Sequence, residues 1–310
     1  MVSAVFLAAQ GFAEARAEVL PGDASKRYAR LHGGPRPALL MQAPDADYLG
    51  AFLRVARHLE AAGVPAPAVL GVEGDTALVE DLGPRSMAMA LDAGTPPGPL
   101  YLDAARTLAA LHAAPPPPGL PPWDAAAMER ATAATLLDWW WPAAFGALPG
   151  AEVRAALGAA LGEMLAPFAA RGFVHRDFFP ANLMPTSRGM AVIDFQDAAL
   201  GHPAYDLVSL IEDARRDVPP ELRAATLRAY LAARPMPDGE AALAVHAAQR
   251  HLRVAALWVR LARRDNKPAY LEHGPRCWSL LERAMEHPVT APLRRFLDAH
   301  IPAQLRRNPA

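Results

Sequence analysis

Lysine is nearly missing from this 310-residue chain: only Lys26 and Lys267 carry an amine, and arginine supplies almost all of the remaining positive charge. A guanidinium resists deprotonation, so any role that needs a compact ammonium or a titratable amine falls on two positions. Cysteine is rarer still. Cys277 stands alone, which excludes an internal disulfide and a thiolate metal cluster, and its ordinary reading is a small semi-buried side chain. Charge of one sign is also lacking. A formal net charge of −1 and an isoelectric point near 6.8 give no basic field to gather nucleic acid or an anionic membrane, and a small-molecule partner is the default. Long hydrophobic runs are absent as well. The opening MVSAVFLAAQGF lacks a basic leader and is too short to span a bilayer, so it reads as a helix and not a signal. The expectation is a soluble, cytoplasmic monomer without nucleic-acid or membrane partners.

What is present is an apolar fraction of 52%, much of it alanine, against 20% charged residues, enough for a folded core. The length exceeds one compact domain and favours two lobes around a ligand. AEARAEVL, the turn PGDAS and KRYARLH read as strand, turn and strand. Pro37-ALLMQA reads as a third strand, and DYLGAFLRVARHLEAAG as a helix stopped by Gly63. Two further β runs follow, split at Gly74-Asp75, and the pattern turns helical after Gly83-Pro84. A lobe boundary near Glu80 to Gly83 gives residues 1–83 and 84–310. In the second part APPPPGLPPW is a proline-rich linker, helices lie near Met128 to Trp141 and Glu152 to Ala170, and GFVH and MAVIDF are strands. The chain beyond Asp206 reads as helical. The fold class expected is α+β and bilobal, with a small β-rich N-lobe and a larger, mostly helical C-lobe.

The chemistry concentrates in His175-Arg-Asp-Phe-Phe-Pro-Ala-Asn182, followed twelve residues later by Asp194 in Ile193-Asp-Phe195. The spacing fits a catalytic loop in which a strand end presents Asp177, a short loop turns Asn182 back, and the next hairpin strand brings Asp194 alongside. Phosphoryl transfer needs one carboxylate to orient and deprotonate the attacking hydroxyl, and hard oxygen ligands for a Mg²⁺ that bridges nucleotide phosphates. Asp177 is assigned the first task, Asn182 and Asp194 the second. In FQDAALGHPAYDL, Asp197 stands where it would reach a metal-bound water, Arg176 or substrate, and Asp206 reads as a structural residue capping a helix start.

HRDFFPANLM together with VIDFQDAALGHPAYDLVSLIEDAR resembles the aminoglycoside phosphotransferase-like branch of the protein-kinase-like superfamily. Asp194-Phe-Gln stands where protein kinases have D-F-G. LPGDASKRYARL, LVEDLG and IDFQDA carry a further likeness, to bacterial anomeric kinases of N-acetylmuramate and N-acetylglucosamine. That resemblance implies a protein-kinase-like fold and ATP with Mg²⁺ as cofactors. It implies an amino-sugar substrate phosphorylated at its C1 hydroxyl in cell-wall salvage, with nucleotide-binding hairpins in the N-lobe and sugar-binding helices in the C-lobe.

One departure matters. Where kinases place a phosphate-binding lysine on the third strand, this chain has Leu-Leu-Met41-Gln42. The cations expected on the phosphates are therefore Lys26, Arg27 and Arg30, beside the turn Gly22-Asp-Ala-Ser25, whose amides and Ser25 hydroxyl form the candidate phosphate loop, though a plain hairpin turn fits as well. Glu80-Asp81-Leu82-Gly83 resembles the hinge that takes adenine through backbone groups, with Glu80 and Leu82 as the candidate contacts. Glu60 reads as a solvated helix charge or a partner for a phosphate cation. For the sugar, the candidates are Trp141 in the run Trp139-Trp140-Trp141, Glu129 with Asp138 on the same segment, Asp197, and His175. Three successive indoles diverge by about 100° each on an α-helix and do not share one ligand face. Rival readings are phosphorylation of another alcohol (an aminoglycoside, choline, homoserine or a plain hexose) and a catalytically silent nucleotide-binding module.

Overall fold

The computed structural model describes residues 2–21, 26–169 and 171–309. It begins with α1 (Ala4–Ala9), where the Ser3 hydroxyl caps the helix by accepting from the amide of Phe6 at 3.0 Å. Strands β1 (Arg16–Val19), β2 (Arg27–His32) and β3 (Ala38–Gln42) follow, then α2 (Ala46–Ala61), β4 (Val69–Glu73) and β5 (Thr76–Glu80). These strands form one antiparallel sheet in the order β1-β2-β3-β5-β4. The turn between β4 and β5 uses Gly74 at φ 58°, a conformation in which a Cβ is strained.

Alternation along the strands divides the sheet into two faces. Leu31, Ala38 and Leu78 point to one side and pack with Phe12 and with Phe6 and Leu7 of α1. Tyr28, Arg30, Leu39 and Met41 point to the other, where α2 contributes Phe52. α2 starts at Asp45, whose side chain accepts from the amide of Tyr48 at 2.8 Å, and it buries Leu49, Phe52, Val55, Ala56 and Leu59 at helical spacing.

The chain continues with α3 (Met87–Asp92), α4 (Pro97–Ala113), β6 (Pro122–Trp123) and α5 (Ala125–Thr135). A π-helical turn, Leu136–Trp140, joins α5 to α6 (Trp141–Phe145), and α7 (Ala151–Leu165) follows. Next come β7 (Gly172–Val174), the hairpin β8 (Leu183–Thr186) with β9 (Gly189–Val192), and β10 (Ala199–Gly201). The chain closes with α8 (Ala204–Ile211), α9 (Pro220–Ala233), α10 (Gly239–Arg264), α11 (Gly274–Ala284) and α12 (Ala291–His300).

Two compact units emerge: Met1–Gly119 with Asp177–Ala198, and Leu120–Arg176 with Ala199–Ala310. A boundary at residue 83 marks the end of the five-stranded sheet, but α3, α4 and the β8–β9 hairpin pack with that sheet's unit. The Thr107 hydroxyl on α4 donates to the Met190 carbonyl of β9 at 3.1 Å, and the Val192 amide donates to the Pro65 carbonyl at 2.9 Å. In the second unit the end of the proline-rich segment is not a free linker: Pro122 and Trp123 pair in parallel with Leu200 and Gly201 of β10, which pairs antiparallel with β7. β6 and β10, of two and three residues, carry too little pattern to be read from sequence. Cys277 is buried, and burial pushes its thiol up to about 11. No helix among the described residues is long and apolar enough to cross a membrane.

Candidate active site

The cavity face of the five-stranded sheet forms one wall of a space of about 480 Å³ inside the first unit. Apolar side chains, among them Leu39, Met41, Val79, Leu82, Met184 and Ile193, line much of it. Its charged end is built from β2 and from the loop after β9. Lys26, just before β2, forms an ion pair with Asp194. Burial pulls the Lys26 ammonium down, but the Asp194 carboxylate beside it, with Tyr28 and a hydrogen bond to Asp194, raises its pKa above the ordinary 10.5. Tyr48 is pushed up to about 12, mainly by burial. Lys26, Tyr28 and Arg30 share one strand face, whereas Arg27 points the other way and is exposed. The structure therefore does not bring Arg27 to the cavity, because adjacent strand residues face opposite sides of a sheet. Gly22 and Ser25 lie outside the described residues.

Arg30 sits four residues along β2 from Lys26, about 13 Å at the rise of an extended strand. Its guanidinium pairs with the Asp81 carboxylate at 2.6 Å, and that carboxylate also accepts from the Gly83 amide at 2.9 Å. Arg30 thus stiffens the segment after β5 rather than standing beside Lys26. The Glu80 carboxylate accepts from the Ala68 amide at 3.1 Å and from Arg188 at 2.6 Å, while Leu82 lines the cavity. Asp81, read from sequence only as part of the hinge, organises the turn; its partner Arg30 lies 51 residues away.

The loop after β7 is drawn tight by its own polar groups. The side-chain amide of Asn182 donates to the Asp177 carbonyl at 3.0 Å, the Phe179 amide donates to the same carbonyl at 3.1 Å, and the Ile193 amide donates to the Asn182 carbonyl at 3.1 Å. Asn182 and Asp194 consequently line the same cavity. Asp194 adopts φ 63°, a left-handed conformation that costs a side-chain-bearing residue free energy and clusters at functional sites. The next residue, Phe195, is fully buried and stacks on Phe52 of α2 at 5.0 Å, which holds the strained turn in place. Gln196 donates to Asp194 at 3.1 Å and to Asp197 at 3.3 Å, so the exposed Asp197 stands next to the Asp194 carboxylate.

In the second unit, Asp206 is fully buried and does not cap its own helix. Its carboxylate accepts from the amides of His175 at 2.6 Å and Arg176 at 2.8 Å. It fixes the two residues that precede Asp177, with Arg176 at φ 74°. Arg250 adds a third hold by donating to the Arg176 carbonyl at 3.1 Å, and the Arg176 guanidinium lies 4.1 Å from the centroid of the Trp123 ring. Replacing Asp206 by alanine strips the acceptor from two backbone donors and is expected to destabilise the protein by about 3 kcal/mol, read by urea unfolding. Asp206→Asn keeps one acceptor and is expected to lose roughly half as much; equal losses would contradict the two-bond account.

Other candidates are placed away from ligand space. The His175 side chain is fully buried and exposes no surface to a substrate. Trp141 is 8% exposed and packs on Phe145 at 4.5 Å, and Trp140 is buried, donating to the Arg307 carbonyl at 2.9 Å. The wider π-helical turn ahead of α6 accompanies burial of both indoles, which does not suit a sugar platform. Glu129 lies against Gly158 of α7, where a Cβ would meet its carboxylate at 2.6 Å. Asp138 pairs with Arg154 at 2.7 Å on the surface, and Glu60 is exposed on α2.

Residues 16–246 match the model of the phosphotransferase enzyme family, APH. An N-acetylmuramate/N-acetylglucosamine kinase of Caulobacter vibrioides is 36% identical over 98% of this chain and 97% of its own length. The chain belongs to the phosphotransferase enzyme family. A second relative with the same name, from Pseudomonas aeruginosa, is 34% identical over 93% of this chain and 90% of its own. Among solved structures, a choline/ethanolamine kinase family protein from Mesorhizobium loti superposes with a TM-score of 0.63 at 16% identity, covering 92% of this chain and 94% of that one. The ADP-bound aminoglycoside phosphotransferase APH(2'')-Ib gives 0.62 at 13%, over 91% and 97%. At such identities the likeness shows the fold, which is the bilobal α+β kinase-like one with a β-rich N-terminal region and a helical C-terminal lobe. This phosphotransferase is an ATP-dependent enzyme.

Proposed function

We propose that this phosphotransferase transfers the γ-phosphoryl group of ATP to the anomeric C1 hydroxyl of N-acetylmuramate and N-acetylglucosamine, acting in the cytoplasm. The observation that carries the reading is full-length similarity to kinases of those two sugars, in a chain that keeps Asp177, Asn182 and Asp194. The cavity suits the nucleotide. Its apolar walls fit a purine near Leu82, and Lys26 stands four strand residues from Arg30, whose partner Asp81 adjoins Leu82, about the span of an extended nucleotide from base to terminal phosphates. Lys26 thus takes the part of the missing strand-three lysine at Met41.

Asn182 and Asp194 offer an amide oxygen and a carboxylate, the hard donors that suit Mg²⁺ shared with phosphate oxygens. Among the described residues no group of three or more His, Cys, Asp or Glu gathers as a metal centre, so a magnesium ion held here would complete its shell with phosphate and water. When bound, it neutralises charge on the transferred group. Asp177 orients the acceptor hydroxyl and takes its proton as the bond to phosphorus forms. An anomeric hydroxyl is more acidic than an ordinary alcohol because the ring oxygen withdraws electron density, which suits a carboxylate base. Asp206 and Arg250 hold the backbone at Arg176 and thereby fix where Asp177 begins. Lys26 keeps Asp194 oriented and supplies positive charge to the phosphates.

Phosphorus NMR of reactions with ATP and each sugar tests the proposal. The expected product is a sugar 1-phosphate with ADP. Phosphate at C6 would overturn the regiochemistry, and turnover of choline or an aminoglycoside but of neither sugar would overturn the substrate class.

A further inference from the structure

Within the first unit, the Lys26 ammonium has more neighbours than its ion pair. It is paired with Asp194, it lies 5.9 Å from the centroid of the Tyr28 ring, and its charge acts on Tyr48 against the upward push of burial. The geometry of α2 accounts for the last of these. Phe52 stacks at 5.0 Å on Phe195, the residue after Asp194, and Tyr48 precedes Phe52 by four residues, one turn back on the same helix face. The Tyr48 hydroxyl is buried and has no hydrogen-bond partner. A buried hydroxyl left unbonded costs free energy in folding and calls for a reason.

The reaction supplies one. Asp194 does not serve an ammonium and a divalent cation equally, because a metal on the carboxylate repels the positive charge already paired with it. Lys26 then needs a second acceptor on the protein. An ammonium has three N–H donors; phosphate oxygens take some of them, and a tyrosine hydroxyl offers lone pairs to another. Resting on the assignment of Lys26 to the phosphates above, we propose that Tyr48 is a positioning residue: its hydroxyl accepts from the Lys26 ammonium once Asp194 holds the metal, and so keeps that ammonium on the phosphates of the nucleotide. The Tyr28 ring flanks the lysine on the strand that carries it, so the ammonium moves between two acceptors, Asp194 and Tyr48, without leaving the charged end of the cavity.

Binding of a non-hydrolysable ATP analogue with Mg²⁺, measured by titration calorimetry on the full chain without sugar, tests this role apart from the choice of acceptor. Tyr48→Phe removes only the hydroxyl and is expected to weaken binding by about tenfold, the size of one hydrogen bond to a charged group. With N-acetylglucosamine as acceptor, KM for ATP is expected to rise by about tenfold while kcat stays within about threefold. In a Lys26→Met background the same change is expected to alter analogue binding by less than about twofold, because the group that Tyr48 positions is gone. Equal losses in the two backgrounds would make the hydroxyl a general support of the fold and overturn the proposal. An unchanged affinity in Tyr48→Phe alone would overturn it too, with the Lys26 assignment left standing. Urea unfolding of the nucleotide-free protein is the control: removing an unbonded hydroxyl is expected to leave the midpoint level or raise it, and a lowered midpoint or a variant that fails to fold would reveal a partner already in place and count against the proposal. If Lys26→Met binds the analogue as tightly as the parent, the assignment of Lys26 to the phosphates falls and the role of Tyr48 with it.

Discussion

Asp177→Asn is expected to lower phosphoryl transfer by about 10²–10⁴-fold, the span of a positioned general base, while ATP affinity stays within about threefold of the parent. The two outcomes separate because of where the loop's hydrogen bonds lie. Asn182 and the Phe179 amide hold the backbone carbonyl of Asp177, and the isosteric asparagine keeps both of those bonds. The cavity proposed for the nucleotide is lined by Lys26, Asn182, Asp194 and the segment after β5, and none of these groups is altered. Coupled ADP release measures the first quantity and titration calorimetry with ATP the second. Turnover within tenfold of the parent would remove Asp177 from the role of base; lost ATP affinity with it would point to a loop that collapsed.

Lys26→Met is the second large effect expected. Methionine fills a similar space without charge, so the variant isolates the ammonium. Loss of a single preorganised electrostatic contact to developing phosphate charge is worth about 3–4 kcal/mol, or 10²–10³-fold in kcat/KM for ATP. The neighbouring Arg27→Ala serves as the contrast, since Arg27 is exposed on the opposite strand face and its loss is expected to change kcat/KM by less than about twofold. Comparable damage from both variants would mean that the strand face drawn by β2 does not govern phosphate contact. The pH dependence follows from the same pair. Asp194 holds the Lys26 ammonium charged above its ordinary value of 10.5, so lysine deprotonation is expected to contribute no alkaline fall in rate at pH 7 to 10. An alkaline limb near pH 9 that disappears in Lys26→Met would contradict the ion pair.

The fold of the loop from Asp177 to Asn182 was legible because its geometry is local. Five residues separate Asp177 from Asn182, and the bond between them closes inside that span; the hairpin of β8 and β9 returns the chain to Asp194 within twelve residues of Asn182. Spacing of that kind survives as a pattern in sequence. The first three strands, α2 and the turn at Gly74 were legible for the same reason, since period-two and period-3.6 patterns are local. Helix faces were less so. Trp141 and Glu129 lie on amphipathic segments where a sequence leaves open which neighbour covers them, and packing against Phe145 and Gly158 decided it.

Sequence alone pointed to the reaction class, through the spacing of Asp177, Asn182 and Asp194, and offered three cations for the proposed phosphate contact. Tertiary structure sets the three apart. Lys26 meets Asp194 across 168 residues, a contact that depends on the register of β2 in the sheet and on the left-handed turn at Asp194. Strand alternation turned Arg27 outward and gave Arg30 to Asp81. Asp206, which reads as a helix cap, instead holds the backbone of His175 and Arg176. Each decision rests on partners brought together by folding, whose interaction depends on distance in space and leaves no spacing in the chain.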